Sequence, residues 1–142
     1  MVSGGPEAPA LFRLWRELKL EPIVDWVGEL PRYELAREYN RADVFCLPSV
    51  QEGFGIVFLE AMAPGKPIVA ARAAAVPEVV KHGLLVDPED FEALADSIWR
   101  LWRDPALRAT IQQQQRQDVE ECGMIRVTTQ FLHEVERVVR TE

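Results

Sequence analysis

Two glutamates eight positions apart, Glu52 and Glu60, are the residues of this chain whose surroundings point most directly to chemistry. Glu60 lies inside an apolar run, with Ile56, Val57, Phe58 and Leu59 before it and Ala61, Met62 and Ala63 after it. Burying a carboxylate costs several kcal/mol unless something pairs with it. Glu52 stands directly ahead of Gly53-Phe54-Gly55. A helix opening near Gly55 presents unpaired N–H groups and a partial positive charge. Gly53 and Gly55 let the backbone approach a ligand closely, so the turn is suited to phosphate oxygens. Each acid also has a plainer explanation. Glu60 fits an ion pair with Lys66 or Arg72, and Glu52 fits an N-terminal capping role, where negative charge is favoured.

The elements that position these residues follow from periodicity. Leu11, Leu14, Trp15 and Leu18 recur at helical spacing and predict an amphipathic helix over 8–19. Ile23 to Val27 is a β-rich run ending at Gly28 and predicts a strand. Pro31 to Asn40 reads as a helix with Leu35 and Tyr39 on one face. Val44 to Leu47 is a nearly continuous apolar strand, stopped by Pro48; Pro67 to Ala71 and Leu84 to Val86 are two more strands. Gly55 to Ala63 is the intervening helix, closed by Pro64-Gly65. Asp87-Pro88 and Asp104-Pro105 read as helix starts. They predict three closing helices over 88–103, 105–121 and 126–140. The first carries a stripe of Phe91, Leu94, Ala95, Ile98, Leu101 and Trp102, and the last one of Val127, Phe131, Val135 and Val138. Trp99 and Trp102 are spaced as helix-packing residues. Gln112 to Gln115 reads as an exposed helical face. Alternating strands and helices predict an α/β fold: a partial Rossmann-like domain, a parallel sheet flanked by helices, and a helical C-terminal tail. In such a sheet ligands bind at the carboxyl ends of the strands, where the turn from Pro48 to Gly55 lies.

Composition excludes several classes. At 142 residues, 48% hydrophobic and 27% charged, the chain is one domain with room for a core. A net charge of -7 argues against a nucleic-acid or anionic-membrane surface. Two cysteines, Cys46 and Cys122, make neither a disulfide framework nor a metal site, and Cys46 is expected as a buried thiol. The N-terminus lacks the basic and apolar stretches of a signal peptide, and no run reaches the length of a membrane span. A cytoplasmic location is the expectation. His82 is expected as an exposed turn residue, His133 as structural or solvated, and Glu78 as a local cap or a site residue.

The segment EGFGIVFLEAMAPGKPIVA, Glu52 to Ala70, resembles the donor-binding motif of retaining glycosyltransferases with the two-domain GT-B fold. It looks most like glycosyltransferase family 4, also called glycosyl transferases group 1. ADVFCLPS (Ala42 to Ser49) and VPEVVKHGLLVDPEDFEALADSI (Val76 to Ile98) are similar to the flanking parts of the family pattern. The resemblance implies an incomplete C-terminal nucleotide-sugar-binding domain over 1–142, half of a GT-B fold. It implies that Glu60 accepts hydrogen bonds from the donor ribose. Gly53, Phe54 and Gly55 would bind the diphosphate through backbone groups, and Glu52 would act as the catalytic residue against hydroxyls of the transferred sugar. The implied reaction moves a hexose from a nucleotide diphosphate sugar to an acceptor hydroxyl with retention. It proceeds by front-face attack, with no metal and no cofactor beyond the donor substrate. Glu52 and Glu60 are accordingly not read as the acid and nucleophile of a hydrolase.

Two departures from the family pattern stand out. Ala73-Ala74-Ala75 replaces the glycine pair that many members carry before Pro-Glu. Family members also have an N-terminal acceptor domain, and their C-terminal domain opens with a strand and a helix that are expected to be missing here. Met1 to Gly5 would then end that domain's second strand. The missing portion normally supplies an arginine and a lysine that stabilise the leaving diphosphate. Three readings follow. In the first, the chain is the donor-binding portion of a transferase and works with a separate polypeptide carrying the N-terminal domain. In the second, it is an inactive or binding-only fragment, prone to self-association through an exposed sheet edge. In the third, it belongs to a sugar-nucleotide epimerase, which the EGFG…EAMA pattern fits less well.

Overall fold

The computed structural model describes residues 6–51, 53 and 55–121. The chain divides into two compact units, Met1–Glu38 and Tyr39–Glu142. In the first unit, α1 (Ala8–Glu17) has a proline in its first turn, which suits a position whose N–H is not needed. The Trp15 indole N–H donates to the Val24 carbonyl at 2.9 Å. Trp15, Phe12 and Trp26 form an aromatic cluster; Phe12 and Trp26 meet edge-on at 5.6 Å. Residues 23–27, expected as a strand, form none. The amides of Ile23 and Val24 turn back onto the Leu20 carbonyl, and Ile23 is left exposed. A β-rich run becomes a strand only when a ladder of backbone hydrogen bonds forms along it, and residues 23–27 are in no such ladder among the described residues. Helix α2 (Arg32–Arg41) follows.

The second unit is built on three parallel strands in the order β1-β2-β3: β1 (Phe45–Leu47), β2 (Ile68–Ala71) and β3 (Leu84–Val86). Phe45 pairs with Ile68 and Leu47 with Ala70; Ala70 pairs with Leu85. Parallel neighbours need crossovers, here α3 (Ile56–Met62) and α4 (Val76–Val79), the latter unforeseen in the sequence. The central strand β2 is buried along its whole length, as a parallel strand covered on both faces must be. One face packs Ile68 and Ala70 against Phe58, Ala61 and Met62 of α3 and Val76 and Val80 at α4. The other packs Val69 against Leu101 of α5 (Phe91–Arg103) and Ile111 of α6 (Pro105–Glu121). Phe58, Met62, Ile68 and Leu101 are fully buried, each worth about 1.5–3 kcal/mol.

Several expectations need correction. The cap of α5 is Asp90, whose side chain accepts from the Ala93 amide at 2.9 Å, so the helix starts three residues after Pro88. Asp104 caps α6 as expected, accepting from the Leu107 amide at 2.8 Å. Only a third of the stripe on α5 is covered. Leu94 and Leu101 face the sheet, whereas Phe91, Ala95, Ile98 and Trp102 are exposed. Trp99 and Trp102 pack on each other at 4.8 Å, with the Arg103 guanidinium over the Trp99 ring. Cys46 is exposed: it lies on β1, which pairs with β2 alone among the described residues. Gln115 is fully buried, because Ile111, Gln115 and Asp118 recur at helical spacing on the inward side of α6. The expected helix over 126–140, His133 and residues 1–5 lie outside the described residues.

Candidate functional site

All three strands run the same way, so their carboxyl ends open into neighbouring loops: 48–55 after β1, 72–75 after β2 and 87–90 after β3. The first loop is stapled by the Ser49 hydroxyl, which donates to the Gln51 carbonyl at 3.3 Å. It ends at Gly55, the N-cap of α3, with φ 69° and ψ 32°. That left-handed conformation favours glycine, and a Cβ there would also lie 3.1 Å from Phe58 Cδ2. Gly53 differs. Among the described residues, a Cβ on it would meet nothing within 4 Å. Glu52 and Phe54, two of the five expected site residues, lie outside the described residues.

Glu60 occupies the second turn of α3 and is half-buried. It shares a face with exposed Ile56, one turn earlier. Helical side chains lean toward the N-terminus, so Glu60 leans toward the glycine turn, about 7 Å away along the axis. Its Oε2 accepts a hydrogen bond from the Tyr39 hydroxyl at 3.3 Å. Burial, reinforced by the Glu60 carboxylate, pushes the Tyr39 phenol up to about 12. The two cations the sequence offered as ion-pair partners are engaged elsewhere. Lys66 Nζ donates to the Asn40 carbonyl at 2.8 Å. Arg72 donates to the Leu85 carbonyl at 3.2 Å and lies 3.8 Å from Asp87. Glu78 is exposed in the first turn of α4.

Gly55 caps the helix that carries Glu60, and Glu60 is met by Tyr39, which sequence reasoning assigned only to a packing face. Its spacing from Leu35 showed which side of α2 it takes; its partner lies 21 residues on and leaves no local signal. His82 is also more than a turn residue. Its Nδ1 lies 2.8 Å from Oδ2 of buried Asp118. Ala74, within the alanine triplet, takes φ 47°, the left-handed region where glycine would be unstrained.

The parallel sheet with helices on both faces is part of a GT-B glycosyltransferase fold, as its superposition on solved enzymes shows. The chain belongs to the glycosyl transferases group 1 family, which it matches over residues 1–118. It is 39% identical over 113 residues to D-inositol 3-phosphate glycosyltransferase of Corynebacterium urealyticum, covering 73% of this chain and 27% of that one. Sucrose-phosphate synthase from Thermosynechococcus elongatus superposes with a TM-score of 0.83 at 30% identity, over 99% of this chain and 38% of that one. Anabaena HepE in complex with UDP gives 0.80 at 27% identity, over 91% and 36%. The chain therefore spans about a quarter to two fifths of these relatives. Among the described residues no helix is long and apolar enough to cross a membrane.

Proposed function

We propose that this chain is the donor-binding portion of a retaining glycosyltransferase and holds a nucleotide diphosphate sugar at the carboxyl edge of its sheet. The observation that carries this reading is Glu60: a half-buried carboxylate on the helix that Gly55 caps, met by a neutral phenol. Such a group is suited to accept hydrogen bonds from vicinal ribose hydroxyls. The glycine turn, where among the described residues nothing lies within 4 Å of a Cβ built on Gly53, takes the diphosphate through backbone N–H groups. The UDP complex of the similar Anabaena protein supports the ligand class. The family resemblance supports Glu52 as the residue facing hydroxyls of the transferred sugar and Phe54 as a diphosphate-binding residue beside Gly53 and Gly55. Acceptor binding is assigned to the part of the longer relatives that these residues do not span.

Ligand-detected NMR of the 142-residue chain against UDP-, GDP- and ADP-sugars tests the reading, with Glu60→Gln alongside. One nucleotide class is expected to bind, and the substitution to weaken it about tenfold or more. A folded wild-type chain that binds none of the three, or equal affinity in the variant, would sink it.

A further inference from the structure

Tyr39 lies in the last turn of α2, and its ring packs against the edge of the core. It packs against Phe45 of β1 at 5.6 Å, and Phe45 in turn meets Phe58 of α3 edge-on at 6.0 Å. This aromatic chain runs beside the buried core that α3 forms with β2. It fixes where the phenol oxygen sits, and that oxygen reaches Glu60 Oε2 at 3.3 Å. We propose that Tyr39 is a positioning residue, which holds the Glu60 carboxylate in the rotamer that meets the ribose of a nucleoside diphosphate. The inference rests on the donor-binding reading of Glu60 given above.

The chemistry favours a phenol for this task. A free glutamate surrenders several rotamers when a ligand fixes it, and a donor that holds it beforehand removes part of that cost. A lysine or arginine would hold it too, but would neutralise the charge that makes it a strong acceptor. A phenol occupies one of the four lone-pair sites of the carboxylate and leaves the charge in place. Because burial and Glu60 itself push Tyr39 up to about 12, it stays a donor at any physiological pH.

The test compares ribose with deoxyribose. UDP, GDP and ADP are each titrated beside their 2′-deoxy counterparts into wild type, Tyr39→Phe, Glu60→Gln and the double variant. Tyr39→Phe keeps the ring on Phe45, so the fold should survive; thermal unfolding checks this. The expected result is about fivefold weaker binding of the ribonucleotide, little change for the deoxynucleotide, and no further loss when Glu60→Gln is already present. Equal weakening of both nucleotides would mean a merely structural role and overturn the proposal. If Glu60→Gln erases the ribose preference and Tyr39→Phe leaves it intact, Tyr39 positioning fails while the donor-binding reading stands. If wild type shows no ribose preference, both fail. Should Tyr39→Phe fold poorly, fluorinated tyrosine in a Tyr33→Phe background keeps the ring and sharpens the phenol as a donor. The ribose preference should then rise, and an unchanged preference would overturn the proposal.

Discussion

Asp118 on α6 and His82 in the turn between α4 and β3 meet at 2.8 Å, with the aspartate side chain 7% exposed and the histidine 41%. The pair pins the turn before β3 to the helix beside it, and its acid has little access to water. Removing the partner of a buried acid costs more than the contact itself contributes, because the acid is left unsolvated. His82→Ala is expected to lose about 1–3 kcal/mol in urea unfolding. Asp118→Asn in the same chain should recover part of that loss. A loss within about 0.5 kcal/mol, typical of surface changes, would show that water satisfies Asp118 without help.

Tyr39 predicts a weakness at high pH. Its phenol ordinarily titrates at 10.0 and is pushed up to about 12 in the fold by burial and by Glu60. Below pH 10 both folded and unfolded chains keep the proton, and the stabilisation is fully present. Between about 10 and 12 the unfolded chain ionises while the folded one does not, so stability falls as pH rises. Two units correspond to about 2.7 kcal/mol, and partial exposure reduces this to about 1. Tyr39→Phe should flatten that part of the stability profile. In Tyr33→Phe, the remaining phenolate absorbance should appear near pH 12; a midpoint near 10 would remove the effect.

Much of this fold could be read in advance, and the failures have physical causes. The strands at 45–47, 68–71 and 84–86 were legible because each apolar run is short and bounded by turn residues. Residues 23–27 had the same composition, but a strand is a property of two backbones and composition reports only one. Gln115 was misread because a glutamine run suggests solvent, whereas the helical period carried by Ile111 and Asp118 puts it inside. The glycine turn and Glu60 were visible as residue types in an unusual setting. Tyr39 and Asp118 were not, since each matters through one partner distant in sequence.

Gln115 makes its own prediction. Its side chain is fully buried, and among the described residues neither Nε2 nor Oε1 finds a hydrogen-bond partner. An unsatisfied buried polar atom costs about 1–3 kcal/mol. Methionine has nearly the same shape and no such demand. Gln115→Met is expected to raise stability by about 1 kcal/mol in urea unfolding. A destabilised variant would mean that the amide is satisfied after all.

The alanine triplet after β2 carries strain. Ala74 adopts φ 47°, where a Cβ crowds the following carbonyl at a cost of about 1–2 kcal/mol. Glycine relieves this but gains freedom in the unfolded chain, an opposing effect of about 0.4–1 kcal/mol. Ala74→Gly should therefore raise the thermal midpoint by about 2 °C. The neighbouring Ala73→Gly has no positive φ to relieve and should lower it. If both changes lower the midpoint equally, the strain at 74 is not a real component of stability.

The two glycines of the turn separate packing from ligand approach. Gly55 is needed by the fold, with φ 69° and Phe58 close by, so Gly55→Ala should destabilise the chain by about 1–2 kcal/mol. Among the described residues nothing lies within 4 Å of the position a Cβ on Gly53 would take, so Gly53→Ala should shift stability by no more than about 0.5 kcal/mol. If the diphosphate lies against this backbone, the added methyl still occupies its place. Nucleotide affinity should then fall about tenfold in Gly53→Ala with unfolding unchanged, a split that calorimetric titration and thermal melting read on the same sample. Full affinity in that variant would place the diphosphate elsewhere and leave the glycine at 53 without a functional reason.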